Sequence, residues 1–153
     1  MDHALVVYDD DETGEALLAD AGEIVAGTGA KLTILALMTP DEFDEVYKTL
    51  EVVAEQEQTS YGDSTVLDVA RKKARESAQE AFADLDVEYN VLGARVDDAG
   101  SEADRVLELA ADRDVDHVFI SGEKRSPTGK AVFGDRTQSI ILNFDGPVTT
   151  LLD

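Results

Sequence analysis

The segment Ser121-Gly-Glu-Lys-Arg-Ser-Pro-Thr-Gly-Lys-Ala-Val-Phe-Gly-Asp-Arg-Thr137 joins an apolar strand to a helix through a loop of Gly, Pro and Ser. Lys124, Arg125, Lys130 and Arg136 fall within it against Glu123 and Asp135, although the whole chain has 13 Lys and Arg against 34 Asp and Glu and a net charge of -21. Local positive charge in so acidic a chain suits an anion held at a helix start, where unpaired N–H groups and the helix dipole both favour negative charge. A solvated loop with ordinary surface Lys and Arg is the alternative reading.

Composition limits what such a site serves. A length of 153 residues implies one domain, 1–153, large enough to bury a core without staples. The absence of Cys excludes disulfides and thiolate metal sites. No basic region leads into an apolar stretch at the start, and no apolar run approaches the length of a bilayer span, so a cytoplasmic protein with no membrane association is expected. The acidic residues are spread through most of the expected helices. That distribution resembles halophilic adaptation to a salt-rich cytoplasm, where charges beyond about 3 Å are screened at roughly 1 M salt; an acidic mesophilic domain is the alternative. Either way the general field repels nucleic acid.

The elements that would position the loop follow from the apolar pattern. Ala4-Leu-Val-Val-Tyr8 reads as a buried strand stopped by Asp9-Asp-Asp-Glu12. Thr13 is expected to cap a helix carrying Leu17, Ala21, Ile24, Val25 and Thr28, with Gly27 and Gly29 at its end. Lys31 to Leu37 is a second buried strand, shut off at Pro40. From Asp41 to Asp63 a short helix and a peripheral loop are expected. A long helix then carries Val66, Ala70, Ala74, Ala78, Ala81 and Phe82 on one face, with Arg71, Lys72, Lys73 and Arg75 in solvated pairs with Asp68, Glu76 and Glu80. Val87 to Leu92 alternates like an edge strand. Ser101 and Asp104 stand in capping-box spacing before a helix with Ala103, Val106, Leu107, Ala110 and Ala111 inward. Asp116 to Ser121 is the fourth strand, Thr137 to Phe144 marks a short helix, and Pro147 to Leu152 is the last strand.

This β-α alternation predicts an α/β fold: a single-domain, open, doubly wound parallel five-stranded sheet of order 3-2-1-4-5 with helices on both faces, Rossmann-like. Ligands of such sheets bind outside the carboxyl ends of the strands where the winding reverses. The loops Asp9 to Glu12 and Gly122 to Gly134 would face each other there.

Other chemistry finds little support. Gly129-Lys130 invites a P-loop reading, but Lys124 stands where that pattern needs Gly and Ala131 where it needs a hydroxyl. His3 and His117, the only histidines, lack metal-ligand spacing. No nucleophile elbow supports a Ser/His/Asp triad. Asp9, Asp10 and Asp11 are successive carboxylates that do not all point one way, so a solvated turn is favoured over a cation site for Asp10 and Asp11.

Val6-Val-Tyr-Asp9, Leu35-Ala-Leu37, Gly100-Ser-Glu-Ala-Asp104 and the segment from Ser121 through Pro147-Val148 together resemble the universal stress protein family over essentially the whole chain. ATP-binding members carry G-x2-G-x9-G-[ST] after the fourth strand. The resemblance puts Asp9 and Leu37 on the nucleoside side and Ser121, Lys124, Gly134 and Asp135 on the phosphate side. Asp10, Gly122, Arg125, Gly129, Arg136 and Thr137 complete the implied cofactor-binding set, for ATP or another adenine nucleotide, with Mg²⁺ only when nucleotide is bound. It also implies a homodimer through Val148, Thr149, Thr150, Leu151 and Leu152.

The spacing of the glycine pattern is intact, but Ser121 and Lys124 replace two glycines and Asp135 replaces the hydroxyl residue. A carboxylate about 4 Å from a phosphate charge costs roughly 4 kcal/mol at an effective dielectric of 20, whereas a helix terminus returns about 0.3–1 kcal/mol. Either Lys124 enters the site and offsets Asp135, or Asp135 caps the last helix and Lys124 neutralises it. The expected function is a stress-response homodimer that senses or carries an adenine nucleotide without efficient catalysis. The alternatives are a ligand-free module acting through a protein partner, and a weak adenine-nucleotide hydrolase.

Overall fold

The apolar runs become strands in the computed structural model, which describes residues 1–57, 63–123 and 134–152. Strands β1 (His3–Tyr8), β2 (Lys31–Met38), β3 (Glu88–Arg95), β4 (His117–Gly122) and β5 (Val148–Leu152) alternate with helices α1 (Glu12–Thr28), α2 (Pro40–Glu57), α3 (Asp63–Ala81), α4 (Glu102–Asp112) and α5 (Asp135–Asn143). The sheet is parallel throughout, in the order β3-β2-β1-β4-β5 expected from the sequence. β1 is central and buried on both faces, which is why it reads as an unbroken apolar run rather than an alternating one.

Two apolar layers flank the sheet. On one face Val6, Leu32, Ile34 and Phe119 meet Leu17, Leu18 and Val25 of α1 and Ala74 and Ala78 of α3. On the other, Leu5, Val7, Leu35 and Ile120 meet Ala103, Val106 and Ala110 of α4 and Ile140 of α5. The Tyr8 hydroxyl donates to Glu15 at 2.6 Å and meets Ser77 at 2.9 Å, joining the end of β1 to α1 and α3. Burial, then the hydrogen bond with Glu15, pushes the Tyr8 phenol well above its ordinary pKa.

Several local expectations are corrected. Asp11, not Thr13, caps α1: its side chain accepts from the Gly14 N–H at 2.7 Å. Ile24 and Thr28 face solvent, and Leu18 and Gly22 take the inner positions instead. The short helix expected after Asp41 is longer than read, since α2 runs from Pro40 through Glu57, and most of the loop expected after it, residues 58–62, lies outside the described residues. Phe43 and Val66 seat α2 against α3 in a third apolar cluster, and the Arg95 guanidinium stacks 4.4 Å above the Phe43 ring. Ser101 closes a 3-10 turn (Ala99–Ser101), and its hydroxyl donates to the Asp98 carbonyl instead of capping α4, while Ala111 is exposed. Arg71 pairs with Asp68 as its spacing predicts, but Lys73 reaches off its own helix to Asp10 at 3.9 Å. No described helix is long and apolar enough to cross a membrane.

Candidate functional site

The winding reverses between β1 and β4, which are neighbours in the sheet, and their carboxyl ends open into a crevice. β1 ends at Tyr8, so Asp9 is the first residue beyond the sheet. The chain then turns sharply, with the Asp11 N–H donating to the Asp9 carbonyl at 2.9 Å, and α1 begins at once. This turn aims the Asp9 side chain at the end of β4.

Its carboxylate is fully engaged. The Ser121 hydroxyl donates to Oδ2 at 2.7 Å, and the Arg136 guanidinium forks onto both oxygens, Nη2 to Oδ2 at 2.7 Å and Nη1 to Oδ1 at 3.1 Å. Nη1 also donates to Glu102 at 3.0 Å, so one cation bridges two carboxylates. The side chains of Asp9, Arg136 and Glu102 are 26%, 24% and 16% exposed, so solvent screens this bridge only in part. Burial on its own would raise the Asp9 carboxyl, but the Arg136 hydrogen bonds and charge, with the Ser121 hydroxyl, outweigh it and hold Asp9 below the usual carboxylate range. Burial likewise opposes charge on Arg136, and Asp9 and Glu102 more than offset it, raising its pKa.

The bridge stands between two hollows. One, of about 320 Å³, lies over the ends of β1 and β2 and combines the apolar side chains of Leu37, Met38, Val46 and Val69 with Tyr8, Lys73 and the carboxylates of Asp10, Glu42 and Glu45. The other, of about 430 Å³, lies over the end of β4 and the start of α5, with Ser121, Gly122, Glu123, Gly134, Asp135 and Thr137 on its walls. Asp9, Glu102 and Arg136 belong to both linings.

The expected residues therefore separate into groups. Asp9, Asp10 and Leu37 share the first hollow, and Ser121, Gly122, Gly134, Asp135 and Thr137 share the second. Arg136 lies in the wall between them, on Asp9 instead of open to an anion. Thr137 is buried, and its hydroxyl donates to the Ser121 carbonyl at 2.7 Å, tying α5 to the end of β4. The cap of α5 is Gly134, at a positive φ of 88° that glycine tolerates. Asp135 is the first helical residue, so it complements the helix dipole without capping. Lys124, Arg125 and Gly129 lie outside the described residues, and with them the question of what Lys124 faces.

Glu102, Tyr8 and Lys73 were missed as site residues. Glu102 carried a usable signal: it opens the helix after β3, so a parallel sheet places it at the same edge as Asp9. Lys73 sits one turn beyond Val69 and Ala70, which also line the first hollow.

The profile of the Universal stress protein family matches residues 1–151. A universal stress protein structure from Archaeoglobus fulgidus superposes with a TM-score of 0.59 at 20% identity, over 98% of this chain and 97% of that one. A universal stress protein in complex with cAMP gives 0.63 at 16% identity, over 99% and 96% of the two chains. The universal stress protein from Archaeoglobus fulgidus in complex with dAMP gives 0.51 at 18%, over 98% and 96%. Identities this low carry the fold alone. No curated protein matches the chain in sequence.

Proposed function

Because the chain belongs to the universal stress protein family, we propose that it senses or carries an adenine nucleotide in the crevice between β1 and β4, as a homodimer and without efficient catalysis. The observation that carries this reading is the first hollow: a half-apolar recess of about 320 Å³ at the switch point of the sheet, with the Asp9 carboxylate at its edge. Apolar side chains with a few convergent polar groups suit a purine and its sugar. Two similarly folded universal stress proteins are described in complex with cAMP and dAMP, which supports adenine as the base. Mg²⁺ would accompany a bound nucleotide only. The absence of catalysis is inferred from the site itself, where Asp9 is committed to Arg136 and both histidines stand at the opposite ends of their strands.

Dimerisation through β5 rests on its place at the edge of the sheet, with every residue from Val148 to Leu152 half-buried in the single chain. An apolar edge strand left open invites pairing. Native mass in molar KCl should be twice the 16.5 kDa chain mass, and a clean monomer would sink this part of the proposal.

One observation favours a second reading, the ligand-free module with a protein partner: the carboxylate that would receive a ribose already has Arg136 and Ser121. Calorimetry at high salt separates the two. Binding heat and a thermal shift are expected with AMP or Mg-ATP at millimolar concentration, and neither with the interaction module.

A further inference from the structure

We propose that Arg136 is a displaceable plug in the crevice: it holds the Asp9 carboxylate against the ribose diol of an incoming nucleoside, and it retreats to Glu102 alone when the diol binds. This rests on the adenine-binding reading above. It gives the Arg136 fork a role in ligand binding instead of setting the fork against a ligand.

An ionised carboxylate has about four acceptor positions on its two oxygens. Three are taken on Asp9 by described residues: Oδ2 accepts from the Ser121 hydroxyl and from Arg136 Nη2, each at 2.7 Å, and Oδ1 accepts from Nη1 at 3.1 Å. A vicinal diol brings two O–H donors, and one vacant position does not hold both. A donor already present must leave. Ser121 is carried on β4, where its backbone stands opposite Leu151 of β5 and its carbonyl accepts from Thr137 at 2.7 Å. Arg136 has a second carboxylate to keep: Nη1 also donates to Glu102 at 3.0 Å, so the guanidinium leaves Asp9 without losing its charge partner. It stands in the wall between the two hollows, with open space on either side to receive it. The fork also shows the fit, since two parallel N–H donors meet the two oxygens of one carboxylate as two neighbouring hydroxyls would. A plug closed about ten times as often as it is open weakens apparent binding by about tenfold.

The test is calorimetry of the full chain near neutral pH with adenosine and with dideoxyadenosine, which keeps the base but lacks both neighbouring hydroxyls. Neither carries a phosphate, so a direct attraction of Arg136 to an anion does not enter. Arg136→Met is expected to bind adenosine about tenfold more tightly than the natural sequence. Arg136→Lys should fall between the two, because an ammonium does not fork. Dideoxyadenosine should bind all three proteins alike. Ser121→Ala is the second variant and decides the matter should Arg136→Met fail to fold: it frees a position on Oδ2, leaves the bridge in place and should also tighten adenosine. Adenosine binding that is unchanged or weaker without the arginine, or a gain shared equally by dideoxyadenosine, overturns the plug while the adenine reading stands. If adenosine binds neither the natural chain nor the variants, both fall together.

Discussion

Replacing Arg136 with Met should lower stability by about 2–3 kcal/mol at neutral pH, and the loss should shrink as pH falls towards 4. Breaking a buried ion pair by removing one partner typically costs about 3–5 kcal/mol, because the remaining charge is left uncompensated. Here two carboxylates, Asp9 and Glu102, lose their common cation, but each is partly exposed and water recovers some of the cost. A loss just below that range, about 2–3 kcal/mol, follows, with a fall in Tm of about 5–10 °C for a domain of this size.

The pH dependence has a definite sign. In the natural protein the Asp9 carboxyl titrates below its unfolded value of about 3.9, so its stabilisation is fully present above that value and is lost as pH falls through the folded one. Without Arg136, burial and the neighbouring carboxylate of Glu102 both push Asp9 upward. A group raised in the folded state costs stability at neutral pH, and the cost disappears as it takes up a proton. Urea midpoints of the two proteins should therefore be farther apart at pH 7.5 than at pH 4.5, where the variant's penalty is relieved while the natural protein still keeps its own Asp9 stabilisation. A gap of equal size at both values would show that Arg136 contributes by packing rather than by charge. Arg136→Lys should recover only part of the loss, since an ammonium cannot fork onto one carboxylate and reach a second in the same plane.

Much of the architecture could be read from residue order because its physics is local or periodic. Ala4 to Tyr8 and Lys31 to Leu37 are apolar runs too short for helices, and only a strand covered on both faces accommodates them. The order of the strands, and with it the crevice, follows from chain connectivity. α2 was read too short because Phe43, Val46 and Leu50 form a narrow stripe, while Val52 and Val53 are exposed and break the period. The cap of α1 was misassigned between Asp11 and Thr13, two side chains that both cap well and stand two positions apart.

The site was legible in place but not in wiring. Asp9 and Arg136 lie 127 positions apart, and no local pattern says that a cation in a basic loop will turn back onto a carboxylate instead of outward to an anion. The same holds for Lys73, whose helical neighbours offered nearer partners than Asp10. Charge count alone pointed to an anion site. What decided otherwise for Arg136 is distance: two carboxylates within 3.1 Å outweigh a general preference for phosphate.

Two glycines of α1 should respond to alanine with opposite signs, and the one beneath Asp9 carries the larger effect. Alanine is the better helix former by about 1 kcal/mol, so an exposed helical glycine with free space around it gains stability when replaced. Gly27 is such a position: a Cβ there would meet nothing within 4 Å. Gly14 lies in the first turn, where the chain doubles back after β1, and a Cβ there would clash with the Asp9 carbonyl oxygen. That atom is backbone, fixed by the hydrogen bond from Asp11, and cannot swing aside as a side chain would. The turn must open, at an overpacking cost of about 1–3 kcal/mol or more that exceeds the gain in propensity. Opening it also displaces Asp9 from Arg136, so part of the bridge energy is lost with it. Gly14→Ala should thus destabilise by about 2–4 kcal/mol and Gly27→Ala should stabilise by up to about 1 kcal/mol in the same urea titration. Because Asp9 moves, the Gly14 variant should also lose the pH dependence that Arg136 confers. If Gly14→Ala proves neutral, the tight turn that aims Asp9 into the crevice is not where the structure puts it.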